Sequence, residues 1–172
     1  MNKRKSTRLK GYNYASEGSY FITINAKLRK LNHFGHILNG RMILNKAGVI
    51  VQNEWLNTEK IRSNVILDEF VVMPDHFHAV LFLTGTQMVE CYHMGEYDSP
   101  IQKKSPVSFE SPSQTIGAIV RGFKSTCTKK FNSEKLNILW QRNYHDRIIR
   151  DGRELLNIQN YIINNPSNWV VK

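Results

Sequence analysis

The stretch VVMPDHFHAVLF, residues 71–82, contains the feature around which the rest of the sequence is organised. Apolar residues on both sides of Pro74 predict two strands joined by a tight turn, since proline cannot donate to a sheet ladder. Successive side chains of a strand point to opposite faces, so His76 and His78 share one face and Phe77 points to the other. The second strand is apolar on both faces beyond His78, which favours a central place in a covered sheet.

Upstream of this stretch, the pattern predicts a strand at 19–26, a β-hairpin at 33–45 and then a helix. The pair Asn39-Gly40 suits the positive φ angles of a tight hairpin turn, and Asn45 can cap the helix that follows. That helix should bury the face that carries Ala47, Ile50, Val51 and Trp55.

Downstream, residues 84–112 are rich in Gly, Ser, Pro and scattered charges, which indicates a long loop or insertion. A helix is predicted over 113–131, because apolar residues recur there at one-face spacing. A last strand is expected within 139–150. A last helix begins at an Asp-x-x-Glu capping box opened by Asp151 and ends before Pro166.

The order of elements is β, hairpin, α, β, β, α, β, α, without the repeated strand–helix–strand units of a doubly wound sheet. We therefore predict an α+β, ferredoxin-like fold with an antiparallel sheet and helices packed on one face. The 172 residues suffice for one sizeable core. Residues 1–172 are predicted to form a single domain, with 84–112 as a loop or insertion within it.

Charge and composition favour a soluble, intracellular protein with a polyanionic partner. The chain has 24 Lys and Arg against 14 Asp and Glu, a net charge of +10. Nucleic acid is the usual partner for such a surplus, and a merely solvated basic surface is the alternative. No apolar run is long enough to span a membrane, and no apolar signal segment follows the basic start MNKRKSTRLK. Cys91 and Cys127 make neither a disulfide framework nor a Cys-x-x-Cys site, so a reducing compartment is expected.

The two histidines of the opening stretch can converge on one cation, since they are about 7 Å apart along one strand face. Two protein ligands leave open coordination positions, which suit a metal that acts as a Lewis acid on a substrate oxygen. A hydrogen-bonded core histidine is the alternative interpretation of either residue alone. Cys91 and His93 could add ligands for zinc, but their spacing matches no zinc motif.

Tyr161 and Asn165 lie some 40° apart around the last predicted helix, at about 100° per residue. Both occupy one flank of its apolar stripe. An interfacial tyrosine and a helix-ending asparagine before Pro166 are the ordinary interpretation of these residues. Together with the histidine pair, they offer a hydroxyl, a carbonyl oxygen ligand and a cation site to one centre.

Five segments together resemble the single-tyrosine HUH transposases, and among them the REP-associated tyrosine transposases. The segments are GSYFITI, VVMPDHFHAVLF, IGAIVRGFKSTCTKKFN, LWQRNYHDRIIRD and YIINNPSNW. In that order they are similar to the family's opening strand, His-hydrophobic-His strand, central helix, last strand and tyrosine helix. The resemblance covers nearly the whole chain, and residues 84–112 match nothing in it.

The resemblance implies that the protein cleaves and rejoins single-stranded DNA at hairpin-containing sites through a 5′-phosphotyrosine intermediate. It implies that Tyr161 is the nucleophile and that His76, His78 and Asn165 bind one divalent ion, Mg²⁺ or Mn²⁺. It also implies repetitive palindromic DNA elements as partners, a cytoplasmic, nucleoid-associated location, no membrane association, and a monomer or a homodimer that exchanges the tyrosine helix.

Basic residues are the candidates for contacts with DNA phosphates. They occur in the N-terminal arm, in the acid-free stretch 113–133 and near the last strand. The predicted nucleic-acid-binding residues are Lys3, Arg4, Lys5, Arg8, Lys10, Arg121, Lys124, Lys129, Lys130, Arg142 and Arg147.

Two other functions are compatible with this sequence. A non-catalytic protein that binds single-stranded or hairpin nucleic acid on a ferredoxin-like sheet would keep the basic surface but form no covalent adduct. A relaxase or replication-initiator nuclease would use the same HUH chemistry, but the short chain, without a helicase or origin-binding domain, argues against it.

Overall fold

The computed structural model describes residues 16–28, 31–84 and 114–169. In chain order the elements are β1 Gly18–Asn25, β2 Gly35–Leu38, β3 Arg41–Leu44, α1 Lys46–Ile61, β4 Val65–Val72, β5 His76–Leu83, α2 Ile116–Ser133, β6 His145–Ile149 and α3 Gly152–Asn164. The predicted loop at 84–112 lies outside the described residues, apart from Thr84 at its start. None of the helices described here is long and apolar enough to cross a membrane.

Four strands form one antiparallel sheet in the order β4-β5-β1-β6. With α1 between β1 and β4 and α2 between β5 and β6, this is the βαββαβ arrangement of a ferredoxin-like fold. The predicted α+β, ferredoxin-like class is therefore confirmed. The strands β2 and β3 pair separately as the predicted hairpin.

The hairpin turn has the conformation that the sequence predicts. Asn39 has φ 50° and Gly40 has φ 72°, the positive values that a two-residue hairpin turn of this kind requires. A Cβ built on Gly40 would lie 3.5 Å from Ser167. The tip of the hairpin therefore touches the turn that follows α3.

The larger core lies between one face of the sheet and the helices α1 and α2. Trp55 of α1 is fully buried. Its ring centroid lies 5.0 Å from that of Phe77 on β5 and 5.3 Å from that of Phe123 on α2. The apolar stripe predicted for the second helix is buried throughout: Ile116, Ile119, Val120, Phe123 and Cys127.

Side-chain caps set the helix starts. Asn45 accepts a hydrogen bond from the backbone N–H of Gly48, as predicted. Thr115 caps α2 in the same way, so that helix begins at Ile116 rather than at 113. Asp151 caps α3 by accepting from the N–H of Glu154, in agreement with the predicted capping box.

The third helix corrects the prediction that all helices pack on one face. Ile158 and Ile162 of α3 form a second core with Val80 and Ile149. Val80 is adjacent in β5 to residues of the larger core, so α3 covers the opposite face of the sheet. The cause is that β5 is apolar on both faces and would otherwise expose one of them. A helical stripe shows that a helix needs an apolar surface, but it does not show which surface.

Two ion pairs join α1 to α2 beside the core. Glu54, which is buried, accepts from Lys130 at 2.5 Å, and Lys46 pairs with Glu134. Burial alone would raise the pKa of the Glu54 carboxyl, but hydrogen bonds from Lys130, Thr126 and Asn57 outweigh it and lower the pKa below its ordinary value.

We expect Lys130→Met to lower the free energy of unfolding by about 1–3 kcal/mol near neutral pH, since it leaves a buried carboxylate without its charged donor. Lys129→Met is the matched control. Lys129 is an exposed neighbour on the same helix, and its loss should cost less than about 0.5 kcal/mol. Urea unfolding followed by circular dichroism measures both values.

The same pair makes a prediction about pH. Because the pKa of Glu54 is lowered on folding, its contribution to stability is present above its ordinary pKa and is lost as pH falls through the lowered value. The difference between wild type and Lys130→Met should therefore shrink in acid. A difference that stays constant down to pH 3 would contradict this account.

Candidate active site

The two histidines lie on the face of the sheet that α3 covers. His76 and His78 are each 6% exposed, and their ring centroids are 4.6 Å apart. In the register of β1 against β5, Thr23 lies opposite His78 and Asn25 lies opposite His76. The predicted strand alternation is therefore confirmed, and it brings the two imidazole rings together.

His76 is held by the residue before it. Its Nδ1–H donates to Oδ1 of Asp75 at 2.6 Å, and Asp75 is itself buried. A carboxylate on Nδ1 fixes the tautomer, with the proton on that nitrogen. The Trp169 ring lies 5.5 Å from the His76 ring, centroid to centroid, at the other end of the site.

His78 is held from the neighbouring strand. Oγ1 of Thr23 lies 2.8 Å from Nδ1 of His78, and the Phe21 ring stacks on the imidazole with a centroid distance of 5.3 Å. A proton on Nδ1 leaves the Nε2 lone pair facing α3. Nε2 lies 3.3 Å from the hydroxyl of Tyr161.

Tyr161 contacts the buried His78 and is itself half-exposed to solvent. Its neighbour Ile162 is fully buried in the second core, whereas Tyr161 is 51% exposed. Gln159 donates to Asp68 of β4 at 2.7 Å and fixes the helix against the sheet on that side. The hydroxyl is therefore positioned next to His78, on a residue that is half-exposed.

The donor atoms at this site suit a divalent cation. Imidazole is a common nitrogen ligand of catalytic metals, and a carboxylate on its other nitrogen, as Asp75 is on Nδ1 of His76, is the usual outer partner of such a ligand. Within the described ranges, no group of three or more His, Cys, Asp or Glu side chains could hold a metal ion. The zinc alternative with Cys91 and His93 falls outside the described residues.

Asn165 lies where the helix pattern places it. It is the C-cap residue of α3 with αR backbone angles, and its N–H donates to the carbonyl oxygen of Ile162 at 3.2 Å. It is partly buried and follows Tyr161 by about one helical turn. Its role as a metal ligand stays a prediction.

The predicted DNA-binding residues that the structure describes are spread over both faces of the sheet. Arg121 and Lys129 are exposed on α2, on the face of the sheet opposite to Tyr161. Lys130 is paired with Glu54. Arg147 lies on β6 opposite Phe21, on the same face as the histidines, and pairs with Glu154 at 2.5 Å.

Lys124 has a structural task of its own. It donates to the carbonyl oxygens of Gln141 and Asn143 at 2.7 and 3.0 Å, and burial lowers the pKa of its ammonium. Arg142 is exposed between these two carbonyls. The five N-terminal candidates lie outside the described residues: Lys3, Arg4, Lys5, Arg8 and Lys10.

Sequence reasoning missed four residues that shape the site. Thr23 and Phe21 reach His78 from a strand that is distant in sequence, and Trp169 reaches His76 from beyond α3. Nothing in a single sequence marks these contacts. Asp75 did carry a signal, because a carboxylate directly before a histidine at the start of a strand is well placed to orient it.

Comparison with known proteins gives one relative of high similarity. An uncharacterised protein of Haemophilus influenzae is 42% identical over 172 residues, covering 98% of this chain and 91% of that protein. The chain belongs to the same family as this Haemophilus influenzae protein. No protein-family model matches the chain.

The fold is shared with a solved structure described as the REP-associated tyrosine transposase bound to a REP hairpin. The two chains align with a TM-score of 0.59 at 16% identity, over 99% of this chain and 76% of that one. The family resemblance inferred from the sequence is thus confirmed at the level of the fold. A crystal structure from Deinococcus radiodurans, of a protein provisionally named a transposase, also aligns at 16% identity over 95% of this chain and 97% of that one. Its TM-score of 0.47 is too low to establish a shared fold.

The Asp75 contact can be tested without any assay of activity. We expect His76 to be the Nδ1–H tautomer in long-range ¹H–¹⁵N spectra of the metal-free protein. Asp75→Ala should release that tautomer and lower the free energy of unfolding by about 1–3 kcal/mol. Glu69→Ala, at an exposed position on β4, is the control and should change neither quantity. An unchanged His76 tautomer in Asp75→Ala would refute the assignment.

Proposed function

We propose that this protein is a divalent-metal-dependent transposase that cleaves single-stranded DNA at hairpin-containing sites and rejoins it through a 5′-phosphotyrosine intermediate. The observation that carries the proposal is the distance of 3.3 Å between the Tyr161 hydroxyl and Nε2 of His78. This contact supports the proposal because a hydroxyl able to act as a nucleophile lies next to one of two neighbouring imidazoles. The fold shared with the REP-associated tyrosine transposase supports it.

In the proposed reaction, Oη of Tyr161 attacks the scissile phosphorus. The bond from Oη to phosphorus forms and the bond from phosphorus to O3′ breaks, which leaves a free 3′-OH and a protein joined to the 5′ phosphate. The covalent bond conserves the energy of the phosphodiester, so a 3′-OH can reverse the step and rejoin DNA. Exposure of Tyr161 allows a phosphate to approach it.

His76, His78 and Asn165 are the residues proposed to hold Mg²⁺ or Mn²⁺. When bound, such an ion would supply positive charge that stabilises the phosphate oxygens during transfer. The hydrogen bond from Tyr161 to Nε2 of His78 belongs to the metal-free arrangement, because one lone pair cannot serve a hydroxyl and a cation together. Asp75 and Thr23 orient the two rings in both arrangements.

The proposed partner is a DNA hairpin with single-stranded flanks, and repetitive palindromic elements of the host genome are the first candidates. The surplus of ten positive charges favours such a partner. The corresponding location is the cytoplasm, with the nucleoid. The protein would act as a monomer or as a homodimer.

We expect Tyr161→Phe to abolish the covalent adduct and to leave hairpin affinity within about twofold, since the ring and its packing remain. Wild-type protein is incubated with hairpin DNA and Mn²⁺ and separated under denaturing conditions. A label at the 3′ end of the DNA should stay with the protein, whereas a label at the 5′ end should be released.

Tyr144→Phe is the matched control for this test and should form the adduct as wild type does. An adduct of normal yield from Tyr161→Phe would refute the assignment of the nucleophile. Tight hairpin binding by wild type without any adduct would support the non-catalytic alternative instead.

The metal ligands are tested by titrating cleavage against Mn²⁺. We expect His78→Ala and Asn165→Ala each to raise the Mn²⁺ concentration required by about tenfold or more, without loss of hairpin affinity. Asn164→Ala, the exposed neighbour on the same helix turn, should behave as wild type. If Asn165→Ala superimposes on wild type while His78→Ala does not, the third ligand comes from elsewhere.

A further inference from the structure

A cavity of about 680 Å³ lies beside the end of β1. One wall is Lys27, two residues beyond the end of β1, and the other is the segment of residues 139–143 between α2 and β6. The volume falls within the range of about 300–1,000 Å³ that is typical of small-ligand sites.

The wall formed by residues 139–143 is fixed by hydrogen bonds on two sides. Towards β1, the N–H of Lys27 donates to the carbonyl oxygen of Leu139 at 2.7 Å, and the N–H of Gln141 donates to that of Asn25 at 2.8 Å. Towards α2, Lys124 donates to the carbonyl oxygens of Gln141 and Asn143. The half-buried Lys124 side chain thus holds the cavity wall in shape, and it does not itself line the cavity.

The chemistry of the lining suits a nucleotide. Lys27 and Arg142 are exposed cations, and none of the described residues that line the cavity is acidic. Within the part of the chain that the structure describes, neither cation forms an ion pair. The side-chain amides of Gln141 and Asn143 can hydrogen-bond to the edge of a base.

The cavity is close to the proposed catalytic residues. On one edge of β1, the carbonyl oxygen of Asn25 accepts a hydrogen bond from the N–H of Gln141. On the other edge of β1, Asn25 pairs with His76 of β5. Two strand spacings of about 4.8 Å separate the cavity wall from His76.

We propose that this cavity binds one nucleotide of the DNA strand close to the scissile phosphate. Lys27 and Arg142 bind its phosphate, and the amides of Gln141 and Asn143 contact its base. The identity of the ligand as DNA rests on the proposed function. The existence of a binding site here is argued separately, from the volume of the cavity, the positive charge of its lining and its position.

The test compares variants of equal charge on a fluorescent oligothymidine strand. Lys27→Ala with Arg142→Ala removes both cations of the cavity. Lys60→Ala with Arg153→Ala removes two exposed cations that do not line it. The cavity variant should bind roughly tenfold more weakly, and the slope of log affinity against log salt should fall by about 0.7, the value for one phosphate. The control variant should lose less than about threefold and keep the slope.

The proposed contact of the Asn143 side-chain amide with the base is tested by a variant that keeps the backbone conformation. Asn143 has φ 69°, a conformation that glycine adopts freely, so Asn143→Gly removes the side chain and keeps the backbone. It should change the relative affinity for oligothymidine and oligodeoxyadenosine while leaving the salt slope alone.

The outcomes separate this proposal from the proposed function. If the cavity variant binds as the control variant does, the cavity is not a nucleotide site, whatever the adduct assay shows. If the cavity variant loses binding as expected but wild type forms no covalent adduct, the nucleotide site stands and the transposase activity fails.

Discussion

The register of β1 against β5 is the constraint on which the candidate site depends. Eight consecutive residue pairs connect the two strands without a bulge, and β1 pairs on its other edge with β6. A slip of one residue would turn every side chain of β1 to the opposite face of the sheet. Tyr20, Ile22 and Ile24 would then leave the larger core, and Thr23 would no longer reach His78. The apolar residues that hold the register thus also orient the imidazole.

The second constraint is the packing of α3 on the face of the sheet opposite to α1 and α2. Ile158 and Ile162 lock the helix onto Val80 and Ile149. Because Tyr161 directly precedes Ile162, the packing that buries the isoleucine sets the height of the tyrosine hydroxyl above His78. The tip of the β2–β3 hairpin touches Ser167 just beyond this helix. Stability and the geometry of the site therefore depend on the same few apolar contacts.

Most of the fold and the centre of the site could be predicted from the sequence, because they follow local periodicity. The alternation around Phe77 placed His76 and His78 together, and the helical stripe before Pro166 placed Tyr161 beside Asn165. The face covered by α3 could not be predicted, since amphipathicity gives a helix a buried side but not a partner surface. The contacts of Thr23 and Trp169 arise only from tertiary packing. The structural contacts of Lys124 and Lys130 could not be predicted for the same reason. A basic residue in a sequence does not reveal whether it will donate to a backbone carbonyl, as Lys124 does, or pair with a carboxylate, as Lys130 does.

The site is assembled from parts of the chain that are far apart. Thr23 and His78 are separated by 55 residues, and His78 and Tyr161 by 83. Contacts of this range form late in folding, after the entropy of closing long loops has been overcome. During synthesis, β1 and β5 emerge well before α3. The two histidines of a growing chain are therefore synthesised well before the tyrosine. A protein of the proposed kind would then be unable to cut the DNA of its own cell until its last helix has docked.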